Sequence, residues 1–470
     1  MRAVVEMLHF LVWGPWTLVL FLGMGMWFTI RSGFFQFFGL RCWWRETVGS
    51  LWSHEEGKER KEGRKPGQIT RFQSACTALA ATIGTGNIVG VATALTAGGP
   101  GALFWMWVSA AIGMMTAYAE TYLGQIYRYR KKNGEWMCGP MVYMDRGLAC
   151  PALGNLYALL AVLSSLGMGS MVQSNSISGT LQFGAGIPPS FSAILVTGMT
   201  GAVVFGGIRR ISRVSECLMP VSAGIYVMFS MIVILSDWEL LPGILRTVFR
   251  EAFQLRAVGG GLSGVLLSRS VRYGLSRGVF SNEAGLGSLA VLHGAAEDTT
   301  PEQQGMWAMF EVFFDTIVVC TLTALVILCA GKQSGRDGAA LTAFCFSVRL
   351  GLFGEVLVSG AMVVFAFATI VAWYYLGRQS FGYLLERLGK WGFSEKQWGN
   401  LYLICYLLAV YGGGISRLEA VWLISDLWNG LMAYPNLLAV FCLSGKVCFP
   451  RGFLLDKYRK NEYTKINKRE

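Results

Sequence analysis

Long apolar runs alternate with short polar or charged segments along the chain. A helix needs about 20 mostly apolar residues to cross a bilayer. The pattern predicts eleven membrane spans, over residues 10–30, 72–97, 102–126, 156–181, 191–207, 214–235, a segment that begins near 259, 305–330, 355–377, 401–415 and 421–443. Residues 31–71 are predicted to form a solvated charged loop, 332–341 an external loop, and 239–256 a helix at the membrane surface.

The second predicted span is interrupted at its centre. Residues 80–90 read AATIGTGNIVG, with three glycines, two threonines and an asparagine inside an apolar run. Glycine costs a helix about 1 kcal/mol relative to alanine, so the helix is predicted to open here. Backbone groups freed inside lipid must be satisfied by protein or by a ligand. The freed amides suit an anion and the freed carbonyls suit a cation.

A second interruption lies in the other half of the chain, where residues 277–288 read RGVFSNEAGLGS. Two interrupted segments in corresponding halves indicate the central binding site of a secondary transporter. The alternative is that both stretches are glycine-rich contacts that let membrane helices pack closely. An asparagine among the glycines of each stretch favours the binding site.

The composition indicates a polytopic membrane protein. Of the 470 residues, 53% are hydrophobic and only 14% are charged, against about a quarter in soluble proteins. The first apolar run is too long for a cleaved signal peptide. The net charge of +12 is concentrated in a few loops and the tail, which membrane topology explains better than nucleic-acid binding. The eleven cysteines show no metal-binding spacing, and no organic cofactor is expected.

The distribution of basic residues predicts the orientation. The heaviest basic segments follow odd-numbered spans, whereas the turns 98–101 and 183–190 contain no Lys or Arg. The positive-inside rule therefore places the N-terminus outside and the C-terminus in the cytoplasm. The predicted divisions are 1–71 (first helix and basic loop), 72–258 and 259–445 (two five-helix units, the second inverted), and 446–470 (basic tail).

Several separated motifs resemble the sodium:alanine (alanine/glycine:cation) symporter family. They are IGTGNIVGVATA at 83–94, GGPGALFWMW at 98–107, FSNEAGLGS at 280–288, DT at 315–316 followed by CT at 320–321, and WLISD at 422–426 with MAYPN at 432–436. The resemblance covers residues 13–445. It implies a LeuT-like 5+5 inverted repeat, preceded by one extra helix, and residence in a bacterial or archaeal inner membrane. It also implies cotransport of a small neutral amino acid with sodium.

An amino-acid zwitterion needs groups that bind its carboxylate and groups that bind its ammonium. The amides of Thr85 and Gly86 suit the carboxylate, and Thr85 can alternatively cap the half-helix. Carbonyls near Phe280 and the side-chain oxygen of Asn282 suit the ammonium. Asn87 can bind the ammonium or sodium.

Other site residues follow from the resemblance alone. It implies that Gln173 faces the substrate and that Phe280 and Trp373 form the walls of the side-chain pocket, although Gln173 can instead form an interhelical hydrogen bond. The resemblance also implies sodium ligands from the carbonyls of Ala80 and Ile83 and from the hydroxyl of Thr369.

The ninth span departs from the family pattern. The family usually has Ser or Thr where Ala368 stands, Gly at Ala372, and an acidic residue at Arg378. The missing hydroxyl at Ala368 predicts weaker sodium binding, unless water or a backbone oxygen replaces it. Ala372, beside Trp373, is expected to tighten the pocket.

Three carboxylates lie within predicted spans, where ionisable groups are costly and are functional candidates by default. Glu283 is expected to neutralise half-helix charge or to pair with Arg277, and Asp315 to join a second cation or proton site. Glu120 is expected to be a structural salt-bridge partner. A proton-coupled amino-acid carrier that uses Glu283 or Asp315 is therefore an alternative.

The absence of a catalytic constellation argues against an enzyme. A channel does not need two paired helix breaks. The preferred amino acid and the oligomeric state stay open.

Overall fold

The computed structural model describes residues 12–51, 68–132, 134–253, 269–297, 299–331, 335–388, 394–416 and 418–450. Their secondary structure is mostly helical, with one short antiparallel hairpin that pairs β1 (Tyr129–Arg130) with β2 (Trp136–Met137). The basic clusters at 58–61 and 64–67 and most of the predicted tail lie outside the described residues.

The helices of the first half run in chain order. They are α1 (Pro15–Arg31), α2 (Phe35–Phe38), α3 (Leu40–Glu46), α4 (Arg71–Thr82), α5 (Val91–Gly98), α6 (Ala102–Tyr127), α7 (Pro140–Arg146), α8 (Pro151–Leu166), α9 (Gln173–Ala185), α10 (Pro189–Val204), α11 (Gly207–Ser236) and α12 (Leu241–Ala252).

The helices of the second half follow. They are α13 (Arg269–Asn282), α14 (Ser288–His293), α15 (Pro301–Val312), α16 (Thr321–Cys329), α17 (Gly338–Leu350), α18 (Leu352–Leu388), α19 (Glu395–Ile415) and α20 (Leu418–Cys442). Single 3₁₀ turns lie at Val48–Leu51, Trp238–Leu240 and Ser444–Lys446.

Three π-helical turns lie at Gly86–Gly90, Gly167–Val172 and Phe313–Cys320. The first precedes α5, the second joins α8 to α9, and the third joins α15 to α16. Such turns occur frequently at functional sites. Each of the three carries or adjoins a residue predicted to form the binding site.

Six helices of the described chain are long and apolar enough to cross a membrane. A seventh span is added if the bent pair Arg71–Thr82 and Gly86–Gly98 is counted as one. Helix α11 exposes a row of large apolar side chains, which includes Ile225, Met228, Ile232 and Leu235. Such a surface is costly in water and is suited to lipid. The chain is therefore a membrane protein.

Hydrogen-bonded caps define where three of the helices begin. The side chain of Thr70 accepts from the backbone of Gln73, and the side chain of Gln73 accepts from the backbone of Thr70. The same reciprocal pair forms between Thr300 and Gln303 at α15, and between Ser394 and Gln397 at α19. These capping boxes satisfy amides that would otherwise lack a partner at a helix start.

The helices that carry the two interruptions lie in the protein interior. Helix α6 packs against both α13 and α15, and α18 packs against α4, α8 and α9. The segments 83–85 and 283–287 are therefore enclosed by helices on several sides, as irregular backbone at membrane depth requires.

Two predictions about loops are wrong. Residues 35–46 form α2 and α3 rather than a solvated loop, and Phe35 and Trp43 are fully buried. Part of the predicted loop 332–341 is helical, because α17 begins at Gly338. Its Thr342 hydroxyl donates to the carbonyl of Ile88 at 3.3 Å, so α17 packs over the first interrupted span. The prediction of a helix within residues 239–256 is confirmed by α12.

Candidate functional site

The first interruption is a sharp break in the helix at residues 83–85. The two flanking helices are bent by 48°. Ile83 has an extended conformation (φ −76°, ψ 93°), which turns its carbonyl away from the helix direction. The amide of Gly84 donates to Oδ1 of Asn87 at 3.0 Å. In a regular helix this amide would bond to Ala80, so the Ala80 carbonyl loses its usual partner.

The second interruption spans residues 283–287 between α13 and α14. Glu283, Gly285 and Gly287 all have positive φ, at 55°, 98° and 80°. Glycine adopts this conformation at little cost, whereas it is uncommon for a residue with a side chain. The glycines of the motif therefore allow the chain to reverse its local twist inside the protein.

Asp315, on the π-helical turn before α16, links the two interruptions. Its Oδ1 accepts from Nδ2 of Asn87 at 2.6 Å. Its Oδ2 accepts from the hydroxyls of Ser281 and Thr316, each at 2.8 Å. Asn282 donates to Thr316 at 3.2 Å. One fully buried carboxylate thus fixes a residue from each broken span.

Thr369 and Gln173 meet the first break at Gly84. A Cβ placed on Gly84 would lie 2.7 Å from Oγ1 of Thr369 and 3.5 Å from Oε1 of Gln173. The Thr369 hydroxyl donates to the carbonyl of Phe365 at 3.0 Å. The amide nitrogen of Gln173 donates to the carbonyl of Met168, whereas its Oε1 is buried without a hydrogen-bond partner. Only glycine fits at position 84 without displacing Thr369.

The two breaks also touch directly. A Cβ on Gly86 would lie 3.2 Å from Cα of Ser281. Thr85 is fully buried, and its hydroxyl has no hydrogen-bond partner in the part of the chain that the structure describes. A buried polar group without a partner is costly. The hydroxyl of Thr85 and Oε1 of Gln173 are therefore two acceptors available to a ligand at the breaks.

The predicted aromatic residues lie on either side of the turn between α8 and α9. Phe280 packs with Met168 and Val172. Trp373 is fully buried and packs so closely on Gly169 that a Cβ there would lie 2.4 Å from the Cβ of Trp373. The structure therefore places both aromatics against the turn that precedes Gln173.

Glu283 is bound by neutral donors rather than by Arg277. Its Oε2 accepts from the hydroxyl of Ser288 at 2.6 Å, and its Oε1 accepts from the indole nitrogen of Trp373 at 3.2 Å. Its carboxylate thereby contacts the first residue of the half-helix α14, where a negative charge is favourable. The sequence predicts that Glu283 either neutralises half-helix charge or pairs with Arg277. Among the described residues, no ion pair between Glu283 and Arg277 is present.

Glu120 has no salt-bridge partner among the described residues, so that prediction is wrong. This fully buried side chain accepts at 2.5 Å from Nδ2 of Asn436, which also donates to the carbonyl of Gly285 at 2.9 Å. The hydroxyl of Tyr143 donates to Oδ1 of Asn436. These residues hold the second break from the α20 side. The polar Asn436 inside an apolar run was the available signal.

A cavity of about 690 Å³ lies beside the π-helical turn that follows the first break and is called the vestibule below. It lies among residues 89–93, the second half of α9, Arg277 of α13, the start of α17, and residues 358–362 and 414–416. It extends to Phe183 and Asp337, which are exposed. The vestibule therefore reaches the protein surface on one side of the bundle.

The fold is similar to those of two solved proteins. One, solved in a substrate-bound outward-open state, is a Na⁺-coupled sialic acid symporter, with a TM-score of 0.58 and 15% identity over 92% of this chain and 87% of that one. Another is MhsT in complex with L-phenylalanine, with a TM-score of 0.53 and 16% identity over 79% and 89%. The chain thus shares the overall fold of these two proteins.

Sequence comparison defines the family. The chain belongs to the sodium:alanine symporter family, whose model matches residues 1–469. It is 37% identical over 469 residues to the sodium/alanine symporter AgcS of Methanococcus maripaludis, with 98% of each chain covered. It is 35% identical over 448 residues to the probable sodium/glutamine symporter GlnT of Bacillus subtilis, which covers 95% of this chain and 89% of that one. The predicted family resemblance is confirmed, and the family is one of transporters rather than enzymes.

Proposed function

We propose that the protein is a secondary active symporter, which couples inward sodium movement to uptake of a small neutral amino acid such as alanine or glycine. The observation that supports this most strongly is the shared carboxylate of Asp315, which accepts from Asn87 of one broken span and from Ser281 of the other. A ligand that binds at one break thereby affects the geometry of the other.

The amino acid binds across the breaks. Its carboxylate contacts the amides of Thr85 and Gly86 at the start of the second half-helix, where anions are favoured. Its ammonium donates to carbonyls near Phe280 and to side-chain oxygens. Oδ1 of Asn282 already accepts from the amide of Ala284, but a carbonyl oxygen has a second lone pair. Gln173 contributes the unpaired Oε1, and Phe280 and Trp373 limit the side chain to a small group.

Sodium binds between the first break and α18. Its ligands are the carbonyls of Ala80 and Ile83 and the hydroxyl of Thr369. The Thr369 hydroxyl donates its proton to Phe365, so its lone pairs are available to a cation. Ala368 is buried beside it and contributes no side-chain oxygen. Water or another backbone oxygen then completes the coordination.

A second cation site is formed by Asp315 and Asn87. Each carboxylate oxygen carries two lone pairs, so Asp315 retains an acceptor position after its three hydrogen bonds. In the proton-coupled alternative, Glu283 or Asp315 binds a proton in place of this cation. No organic cofactor takes part in either version.

Transport proceeds by alternating access between two states of the bundle. Sodium stabilises the broken helix α4–α5 in its substrate-binding form, and the amino acid then binds the exposed backbone. Coupling requires that each ligand favours the same state and increases the affinity of the other by the same factor.

The proposed topology has eleven spans in a bacterial or archaeal inner membrane, with the N-terminus outside and the C-terminus in the cytoplasm. Residues 1–71 contribute the extra helix and a basic loop, 72–258 and 259–445 the two inverted units, and 446–470 the basic tail. The vestibule then opens to the outside.

Uptake of labelled alanine into proteoliposomes tests the function. An inward sodium gradient is compared with an equal potassium gradient. Accumulation above equilibrium with sodium alone supports sodium-coupled symport. Uptake that ignores sodium but disappears without a pH gradient supports the proton-coupled alternative.

A further inference from the structure

Arg277 has no ionic partner within the described part of the chain. It lies one helical turn before Phe280 on α13, and its guanidinium carbon is 5.4 Å from the centre of the Phe280 ring. Its Nε is buried without a hydrogen-bond acceptor, and no described carboxylate lies within 4 Å of it. A half-buried cation in this position requires a complementary anion to offset its lost hydration.

The vestibule has space for that anion. Arg277 and Asp337 are the charged residues that line it within the described chain. Oδ1 of Asp337 accepts from the amide of Gly338 and from the hydroxyl of Thr96, and among the described residues no ion pair joins Asp337 to Arg277. The remaining lining includes neutral polar side chains, such as Asn175 and Ser359. Arg277 therefore faces a roomy, partly polar cavity in which no described carboxylate is paired with it.

The guanidinium of Arg277 indicates which chemical group would bind there. A guanidinium presents a planar fork of donors that matches a carboxylate. All α-amino acids carry a carboxylate, and the Phe280 ring beside Arg277 directly precedes Ser281 and the second break. We infer that Arg277 forms a carboxylate-binding subsite in the vestibule, which holds the α-amino acid before it passes Phe280 to the breaks. This inference rests on the proposed function for the identity of the transported ligand.

The central binding position at the breaks and the subsite in the vestibule differ in size. The central position is bounded by Phe280 and Trp373, whereas the vestibule has about 690 Å³, within the range of pockets that hold drug-sized ligands. The subsite therefore accepts larger neutral amino acids, such as leucine, that do not enter the central position. Such molecules bind without being transported and compete with alanine for Arg277.

Binding of labelled leucine to the purified protein tests the subsite directly. Unlabelled 3-methylbutylamine, which is leucine without its carboxyl group, serves as the competitor that lacks the recognised group. The variants are Arg277→Gln, which removes the charge, and Arg277→Lys, which keeps the charge without the fork. Arg269→Gln is the matched control, since Arg269 lies on the same helix and is exposed.

We expect wild-type protein and Arg269→Gln to bind leucine, and 3-methylbutylamine not to displace it. Arg277→Gln weakens leucine binding at least tenfold, and Arg277→Lys weakens it less. In proteoliposomes, Arg277→Gln raises the half-saturating alanine concentration at least fivefold and leaves the maximal rate within about twofold. Melting temperatures of the variants verify that they fold.

Leucine binding that is equal in wild type and Arg277→Gln, or that 3-methylbutylamine displaces, overturns the subsite. Absence of leucine binding to the folded wild-type protein overturns it as well. The proposed function fails by a separate result, namely if the wild-type protein shows no sodium-dependent uptake of alanine. The binding comparison does not depend on that uptake.

Discussion

The side chain of Asn87 donates to Asp315 at 2.6 Å while its own oxygen accepts from the backbone of Gly84. The same amide therefore replaces a helix hydrogen bond at the first break and joins that break to a helix more than 200 residues further along the chain. Because Ser281 of the second break also donates to Asp315, the two breaks are mechanically connected through one carboxylate.

Replacement of Asp315 by Asn tests this connection. The substitution places an NH₂ group opposite side chains that also donate, and it removes the negative charge available to a cation. We expect sodium-dependent alanine uptake to fall at least tenfold and the half-saturating sodium concentration to rise. The control is Asp237→Asn, since Asp237 pairs with Arg349 at the end of α11. Equal loss in both variants would show that the effect is not specific to the breaks.

A second prediction concerns the space at Gly84. In Gly84→Ala, the new Cβ lies 2.7 Å from Oγ1 of Thr369, so one of the two must move. We expect alanine uptake to lose its dependence on sodium, because the Thr369 hydroxyl moves away from the carbonyls of Ala80 and Ile83. Gly90→Ala is the control, because its Cβ would meet no atom within 4 Å. Normal sodium dependence in Gly84→Ala contradicts the sodium site.

The sequence predicted the interruptions well and their supporting contacts poorly. Glycine, threonine and asparagine inside an apolar run are local signals, and both breaks lie where those signals placed them. The contacts of Asp315 with Ser281, and of Glu120 with Asn436, join residues that are distant in sequence and depend on tertiary packing. Apolar periodicity also did not reveal α17, a helix of only 13 residues that is too short to span.

The departure at Ala368 gives a gain-of-function prediction. Ala368 is buried next to Thr369 on α18, and serine there adds one oxygen. We expect Ala368→Ser to lower the half-saturating sodium concentration about threefold to tenfold, where tenfold is about 1.4 kcal/mol. Uptake measured over a range of sodium concentrations provides the result. Ala366→Ser, also buried on α18, controls for the added hydroxyl, and an equal effect in both variants would contradict the account.

A buried pair outside the binding site is predicted to support stability. Nε2 of His293 lies 2.9 Å from Oε1 of Glu311, its Nδ1 lies 2.6 Å from Oε1 of Gln304, and all three side chains are fully buried. Removal of one member of such a pair typically costs about 3–5 kcal/mol. We therefore expect Glu311→Leu to lower the melting temperature strongly in detergent.

The matched double variant distinguishes a pair from two separate contributions. His293→Leu/Glu311→Leu is expected to cost less than the sum of the two single variants, because no buried partner is left alone. Exposed Glu239→Leu should change stability by less than about 0.5 kcal/mol. Additive losses in the double variant would show that His293 and Glu311 act independently.

The proposed orientation is tested by cysteine labelling in intact cells. Cys150 is exposed between α7 and α8, and Ser190 is exposed at the start of α10. With the other exposed cysteines replaced by serine, an impermeant maleimide should label Ser190→Cys from outside. It should label Cys150 only after permeabilisation. The reverse pattern would invert the topology.

Equilibrium binding of sodium and alanine to the purified protein tests the central claim most directly. Alanine affinity is measured over a range of sodium concentrations, and sodium affinity over a range of alanine concentrations, with potassium as the control ion. We expect each ligand to increase the affinity of the other by the same factor, at least fivefold, or about 1 kcal/mol. Alanine binding that is unchanged by sodium would contradict sodium-coupled symport at the paired breaks.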